Sequence, residues 1–278
     1  MVSPSSDKVI NEEGRRYHIN VKPGELARFL LIPGAPERAV RIAEFWDDAR
    51  EVAYHREFRS FTGRYKGVEL SAISSGIGPS SMAIVVNEVA NLGVHTLIRV
   101  GSTGAIQEDI GCGEVIISTS AVRLDGTSQS YVIPEYPANS SYETLLALVE
   151  AAESLGIRYH LGITATTSDF YAGQGRPASR GFHRLETNGL IQNLRRANVL
   201  NFEMETATLF VLSNLFNLRA GSVCAVYANR CSNIFKPGAG EEECIRVANE
   251  AVVILNVWDK EKQQHGKKWF YPGLLKMR

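Results

Sequence analysis

The chain has 278 residues, 44% hydrophobic and 22% charged, with 30 basic residues balanced by 30 acidic ones. This is the composition of a globular protein, long enough to bury a large core without disulfides or metals. Zero net charge gives no general attraction to nucleic acid or to an anionic membrane, and only a local basic site stays open.

The elements follow in order. Residues 1–16 are polar, lack the apolar stretch of a secretory signal, and read as a poorly ordered arm. Arg28–Ile32 is a buried-strand run ending at the turn Pro33-Gly34, and Pro36 suits the first position of a helix. Residues 50–75 read as extended, with a turn at Lys66-Gly67. Ser74–Ser81 is a small-residue loop leading into an apolar helix, Met82–Leu92. Thr96–Val100 is a strand followed by a loop, Gly101–Gly104, and Glu114–Thr119 is another strand. Tyr142–Leu155 is an amphipathic helix closed by Gly156. Tyr159–Thr167 is a strand, and 168–183 a long functional loop. Val199–Phe202 is a strand feeding a helix over 203–216. Gly221–Tyr227 and Glu241–Trp258 are the last strand and the last main helix. Strands and helices alternate without a linker or an internal repeat, which predicts a single three-layer α/β domain over 17–258.

Residues 259–278 differ in character, with six Lys/Arg against two Asp/Glu and the aromatic run Trp269-Phe270-Tyr271. They read as an extension packing its aromatics on the body or on a neighbour, with a nucleic-acid patch as the other reading. Cysteines fall at 112, 224, 231 and 244, with no CxxC pair and no zinc spacing. Free thiols fit a reducing compartment, and no apolar run approaches 18 residues, so the expected location is the cytoplasm.

Three constellations could carry chemistry. Arg38 follows the Pro-Gly turn, Arg99 ends an apolar strand beside Gly101–Gly104, and Arg56 lies in His55–Phe58. In an α/β fold ligands collect at the carboxyl ends of strands. Backbone N–H groups at Gly34 and in the Gly101–Gly104 loop, with guanidinium forks, describe an oxyanion site for phosphate. Any one of these arginines alone reads equally as a salt-bridged surface residue. In Asn201–Thr206, Glu203 and Glu205 open an apolar helix. They read either as carboxylates favoured by the helix dipole or as acceptors for a sugar cis-diol, with Met204 as an apolar floor. In Asp169–Arg176, Phe170 can stack on a planar ring. Gln174 and Arg176 offer the donors and the acceptor that an imide edge needs.

Other readings lack their residues. Gly76-Ile77-Gly78 has Ser81 where a dinucleotide fingerprint wants glycine or alanine, GxSxG is not met at Gly101–Gly104, and the Walker lysine is absent.

Taken together, Pro33–Arg38, His55–Phe58, Arg99–Gly104, Phe170–Arg176, Phe202–Glu205 and Asn229-Arg230 resemble the nucleoside phosphorylase-I family, over about residues 17–256. The Phe-x3-Gln-x-Arg segment resembles its pyrimidine-specific branch. The resemblance implies a central mixed, partly barrel-like sheet flanked by helices. It implies phosphorolysis of uridine to uracil and ribose 1-phosphate through an oxocarbenium-like transition state, with inorganic phosphate as co-substrate and no organic cofactor. Phosphate would be held by Gly34, Arg38, Arg99 and Ser102, with Arg56 entering from a neighbouring subunit. Ribose would be held by Thr103, Met204 and Glu205, with His18 reaching its 5′-hydroxyl across the same interface. Uracil would be held by Phe170, Gln174, Arg176 and the backbone around Tyr227, supported by Arg230. Arg38, Arg99, Arg176 and Glu205 would carry the catalysis. Some members bind potassium between subunits, at positions matching Glu57, Ile77 and Ser81, and the family's typical assembly is a hexamer, a trimer of dimers with shared sites. No nucleic acid or membrane partner is implied.

The sequence departs from the family pattern at Ser102 (commonly Thr), Gly175 (often acidic), Phe202 (Tyr) and Tyr227 (a small aliphatic). Tyr227 leaves the choice between uridine and thymidine open and is expected not to touch the phosphate site. A purine or methylthioadenosine enzyme and a silent nucleoside-binding relative are the alternatives. The silent relative is disfavoured because Arg38, Arg56, Arg99, Arg176 and Glu205 are all present.

Overall fold

The computed structural model describes residues 9–182 and 189–276. Residues 1–8 of the expected arm, residue 183 of the expected loop and residues 277–278 lie outside them.

The first strand, β1 (Phe29–Pro33), is buried along its whole length. Its alternate side chains enter two different cores, Phe29 and Leu31 on one face, Leu30 and Ile32 on the other. Helix α1 (Pro36–Ala43) starts on Pro36, whose fixed φ suits a first turn. A meander follows, β2 (Asp48–His55), β3 (Phe58–Tyr65) and β4 (Val68–Ile73), with β4 parallel to β1. The expected turn at Lys66-Gly67 joins β3 to β4. Helix α2 (Pro79–Val89) begins three residues before the expected Met82, again on a proline.

Strand β5 (Thr96–Ala105) corrects the sequence reading: Gly101–Gly104 is not a loop but the second half of a ten-residue strand. It is held there by β10 (Arg219–Asn229), which runs parallel to β5 from Thr96 to Ala105. Glycine is required at 101, because a Cβ there would lie 2.7 Å from Cys224 Sγ and 2.8 Å from the Arg99 guanidinium.

Strand β6 (Val115–Leu124) outruns its expected end and pairs with the two-residue β7 (Ala138–Asn139). Helix α3 (Tyr142–Leu155) ends as expected at Gly156, whose φ of 63° closes the helix in the left-handed region. Strand β8 (Tyr159–Thr167), α4 (Leu190–Arg196), β9 (Val199–Glu203) and α5 (Thr206–Leu215) follow, then β10, β11 (Ile234–Phe235) and α6 (Glu241–Gln264). Helix α5 starts three residues later than expected, because Glu205 keeps a non-helical backbone (φ −134°, ψ −21°).

Strands β10, β6, β8, β9 and β5 pair in that order, and β5 returns to β10, closing a five-stranded ring. Strands β1, β4, β3 and β2 extend it as an open wing. Helices α1, α3 and α6 cover one face of the sheet, and α2 and α5 the other, giving the mixed, partly barrel-like three-layer α/β fold.

Two terminal expectations change. Residues 9–16 are not a loose arm: Ile10 bridges Arg16, and Arg15 pairs with Glu25 at 2.9 Å. Helix α6 runs six residues past Trp258, because 259–264 are good helix formers and are tied to the body. Asp259 pairs with Arg219, and Lys262 with Glu143. Beyond the helix, Phe270 stacks on Trp258 with ring centroids 3.9 Å apart, which seats the tail on the core as expected. Among the described residues no helix is long and apolar enough to cross a membrane.

Candidate active site

On one edge β5 pairs with β10 throughout. On its other edge β1 stops at Val100 and β9 begins at Gly104. Gly101–Thr103 therefore have no strand neighbour on that edge. A cavity of about 720 Å³ opens there, bordered by Arg99, Ser102 and Thr103 of β5.

Its anion end is built on Gly34 after β1, Arg38 in the first turn of α1, Arg99 and Ser102. Arg99 is 3% exposed. Its Nε donates to Glu203 Oε2 at 2.9 Å and its Nη2 to Glu205 Oε2 at 2.5 Å. Its Nη1 is buried without a partner among the described residues. Burial opposes the charge, but Glu205 and Glu203 outweigh burial and lift the Arg99 pKa above its ordinary value. Arg38 is held by Glu241, Nε to Oε2 at 2.9 Å, and by the Tyr227 hydroxyl at 3.0 Å. This corrects the expectation for Tyr227. Its side chain lines the cavity, but its polar end lies on Arg38, one of the arginines expected to hold phosphate.

The middle of the cavity carries Thr103, Met204 and Glu205. Thr103 Oγ1 donates to the Phe202 carbonyl and accepts from Asn201 Nδ2, both at 2.6 Å. Glu205 Oε1 accepts the Gly78 N–H at 2.6 Å. Burial raises the Glu205 pKa above its ordinary value, with Arg99 opposing and the Glu203 charge adding. Each Glu205 oxygen keeps a lone pair for a further donor, the requirement of a vicinal diol.

The far end is the loop after β8. The Arg176 guanidinium lies 3.9 Å over the Phe170 ring. Its Nη1 donates to the Phe170 carbonyl at 2.7 Å and to Gln174 Oε1 at 2.5 Å. Gln174 is buried, its Nε2 donating to Thr167 Oγ1 at 3.1 Å. Arg230 does not line the cavity; its Nη1 holds the Gln174 carbonyl at 3.1 Å, so it supports the loop directly. Burial, then the charge of Arg230, lowers the Arg176 pKa to about 10.

His18 and Arg56 are not in the lining of this cavity. They lie near each other: Arg56 sits 5.7 Å over the Tyr17 ring, and His55 Nδ1 bonds the His18 carbonyl at 2.8 Å. His18 Nδ1 is 2.5 Å from Glu88 Oε1. Glu57 and Ile77 lie at the cavity wall, and Ser81 donates to Glu57 Oε1 at 3.1 Å. With the Ile77 carbonyl these are oxygen donors, as a hard cation needs. No group of three or more His, Cys, Asp or Glu able to hold a metal occurs among the described residues.

Sequence reasoning missed Glu241, Thr167 and Asn201, and read Glu203 either as a helix-dipole carboxylate or as a diol acceptor. The dipole reading is half right, since Glu203 Oε2 accepts the N–H of Glu205 and of Thr206 at the helix entry. Glu241 stands 203 positions from Arg38 and has no local signal. A second, polar groove of about 480 Å³ between residues 24–27 and the β2–β3 hairpin has no comparable arrangement; Arg64 and Glu69 in its wall pair with each other at 3.4 Å.

Two buried arginines, a buried carboxylate with lone pairs to spare and a loop bearing a ring, an amide and a guanidinium thus line one cavity along a strand of a closed ring, an arrangement chemically suited to an oxyanion beside a polar ring compound. The chain belongs to the phosphorylase superfamily, whose family model matches residues 28–256. It is 55% identical over 270 residues to a uridine phosphorylase of Thermococcus kodakarensis, covering 97% of each chain. It is 41% identical over 217 residues to a uridine phosphorylase of Haemophilus influenzae, covering 77% of this chain and 86% of that one. Among solved structures it is similar to a uridine phosphorylase from Vibrio fischeri complexed with 6-hydroxy-1-naphthoic acid. That likeness has a TM-score of 0.77 and 29% identity, and covers 87% of this chain and 98% of the other.

Proposed function

We propose that the protein is a uridine phosphorylase, converting uridine and inorganic phosphate to uracil and ribose 1-phosphate. The observation that carries this reading is Arg99, a buried guanidinium with an unpartnered Nη1 at a cavity that also holds Arg38, Glu205 and Gln174. A buried donor without an acceptor is costly, and an anion bound beside it relieves that cost.

In this reading a phosphate oxygen forms a bond to C1′ as the C1′–N1 bond breaks. The electron pair passes into the uracil ring, and the departing base takes a proton from solvent. The sugar becomes oxocarbenium-like, stabilised by phosphate on Arg38 and Arg99. Gln174 and Arg176 stabilise the negative charge gathering on the uracil carbonyls. Glu205 orients the diol. Catalysis is preorganised electrostatics and positioning, without an obligatory side-chain acid. Losing one such donor raises the barrier by about 2.7–4 kcal/mol.

The reading extends to an oligomer, a hexamer of three dimers, in which Arg56 and His18 complete a neighbour's cavity. Their place outside the chain's own cavity supports this. Potassium would be held by Glu57, Ser81 and the Ile77 carbonyl of two facing chains. The four free thiols are in keeping with the cytoplasm.

The test is a product assay on uridine, thymidine, inosine and adenosine, with and without phosphate. Uridine should be cleaved only with phosphate, giving ribose 1-phosphate. Release of free ribose in phosphate-free buffer, or preference for a purine nucleoside, overturns the reading.

A further inference from the structure

Three elements converge on the Arg38 side chain. Tyr227 comes from β10, and Glu241 is the first residue of α6. Arg38 Nε donates to Glu241 Oε2 at 2.9 Å, Nη2 to the Tyr227 hydroxyl at 3.0 Å, and Nη1 to the Val100 carbonyl at 3.3 Å. A guanidinium has five N–H bonds. Three are committed to these partners, which leaves one on each terminal nitrogen. Those two form the fork that binds a phosphate through two oxygens.

Tyr227 can accept from Arg38 only because its own proton is placed elsewhere. Its hydroxyl donates to Glu241 Oε2, which turns the oxygen lone pairs toward Arg38. Burial and the Glu241 charge push the phenol pKa up to about 12 against the pull of Arg38, so the proton stays on the phenol. The other Glu241 oxygen takes Arg41 Nε at 2.8 Å. Glu241 thus stays shared between two arginines and does not close on Arg38 alone.

We propose that Tyr227 and Glu241 are positioning residues for Arg38, and that Tyr227, although it stands on the base-reading strand, sets the affinity for phosphate. Loss of the hydroxyl frees the Nη2 edge of the guanidinium to turn about its Glu241 contact, and the two free N–H bonds then no longer point together at one anion. The inference rests on the reading of Arg38 as a phosphate ligand.

The experiment is initial-rate kinetics on the full-length protein and on Tyr227→Phe, Glu241→Gln and Arg38→Ala. Phosphate is varied at saturating uridine, and uridine at saturating phosphate. Tyr227→Phe keeps the ring and removes one hydrogen bond to a charged group, so it should raise KM for phosphate roughly five- to tenfold. KM for uridine should stay within about twofold, a split that a general loosening of the fold would not produce. Glu241→Gln should move KM for phosphate in the same direction, and it carries the test alone if thermal melting shows that Tyr227→Phe does not fold. Arg38→Ala separates the two levels of the argument. If Arg38→Ala raises KM for phosphate and Tyr227→Phe does not, or if Tyr227→Phe raises KM for uridine instead, the positioning role is overturned. If Arg38→Ala itself leaves KM for phosphate unchanged, the phosphate site is misplaced and the role of Tyr227 falls with it.

Discussion

Glu203 holds Arg99 and the entry of α5 with one oxygen: Oε2 accepts Arg99 Nε at 2.9 Å, the Glu205 N–H at 2.8 Å and the Thr206 N–H at 2.9 Å. Its other oxygen accepts the Thr166 hydroxyl. The carboxylate therefore ties β5, β8 and α5 together behind the cavity. Glu203→Ala removes the partner of a buried guanidinium and two helix-entry acceptors. The expected loss is about 3–5 kcal/mol of unfolding free energy, measured by urea denaturation. A loss below about 1 kcal/mol would mean that water replaces the carboxylate.

Glu205 touches the cavity itself. Glu205→Gln leaves one acceptor atom in place of two and turns a donor toward the diol. kcat/KM for uridine should fall roughly tenfold more than for 2′-deoxyuridine, one lost hydrogen bond apart. Equal losses on the two nucleosides would place Glu205 away from the 2′-hydroxyl.

The proposal that Arg56 serves a neighbour's cavity is open to a complementation test. A symmetric pair of chains exchanges the same elements in both directions. Arg38→Ala and Arg56→Ala homo-oligomers should both be nearly inactive. After subunit exchange, each mixed pair contains one cavity with an intact Arg38 from one chain and an intact Arg56 from its partner. Phosphorolysis should return, with native mass spectrometry confirming that mixed oligomers formed. Mixed oligomers without activity would show that Arg56 does not serve a neighbour.

His95 gives a pH dependence. Burial lowers its pKa below the ordinary 6.5, and the charges of Arg219 and Arg28 add to this. The folded chain thus keeps His95 neutral where the unfolded chain takes up a proton. In that window the unfolded state binds more protons, so stability falls as pH drops below about 6.5. The melting temperature should decline between about pH 7 and about pH 5, and His95→Gln should decline less. Parallel declines would assign the loss to other groups.

Much of this molecule is written in short-range signals. The alternation of β1, the proline that opens α1, the turn at Lys66-Gly67 and Gly156 at the end of α3 each depend on neighbours a few residues away. The grouping of Phe170, Gln174 and Arg176 at the cavity was legible because they lie close together in the chain. The strand character of Gly101–Gly104 was not, because small residues carry no strand signal and the pairing comes from β10, more than 110 positions on. The length of α6 was hidden in the same way, since the partners of Asp259 and Lys262 are Arg219 and Glu143. The base contact around Tyr227 came from the family resemblance alone, which says nothing of where the phenol's hydroxyl goes. The hydroxyl's partners, Arg38 and Glu241, come from two other elements.

The unbroken run of β5 also bears on how substrates enter. Arg99 on the wing side and Gly104 on the ring side belong to one strand, laddered to β10 along its whole length. Parting the wing from the ring would instead require breaking the β1–β5 ladder, Phe29–Pro33 against Thr96–Val100, which is buried on both strands and would open only with much of the core. The two halves therefore cannot act as a clamshell. The segments that border the cavity without joining the ladder include the loop of 168–182, which carries Phe170, Gln174 and Arg176. The Arg99 end of the cavity is thus fixed by the sheet, whereas Phe170, Gln174 and Arg176 border it from outside the sheet.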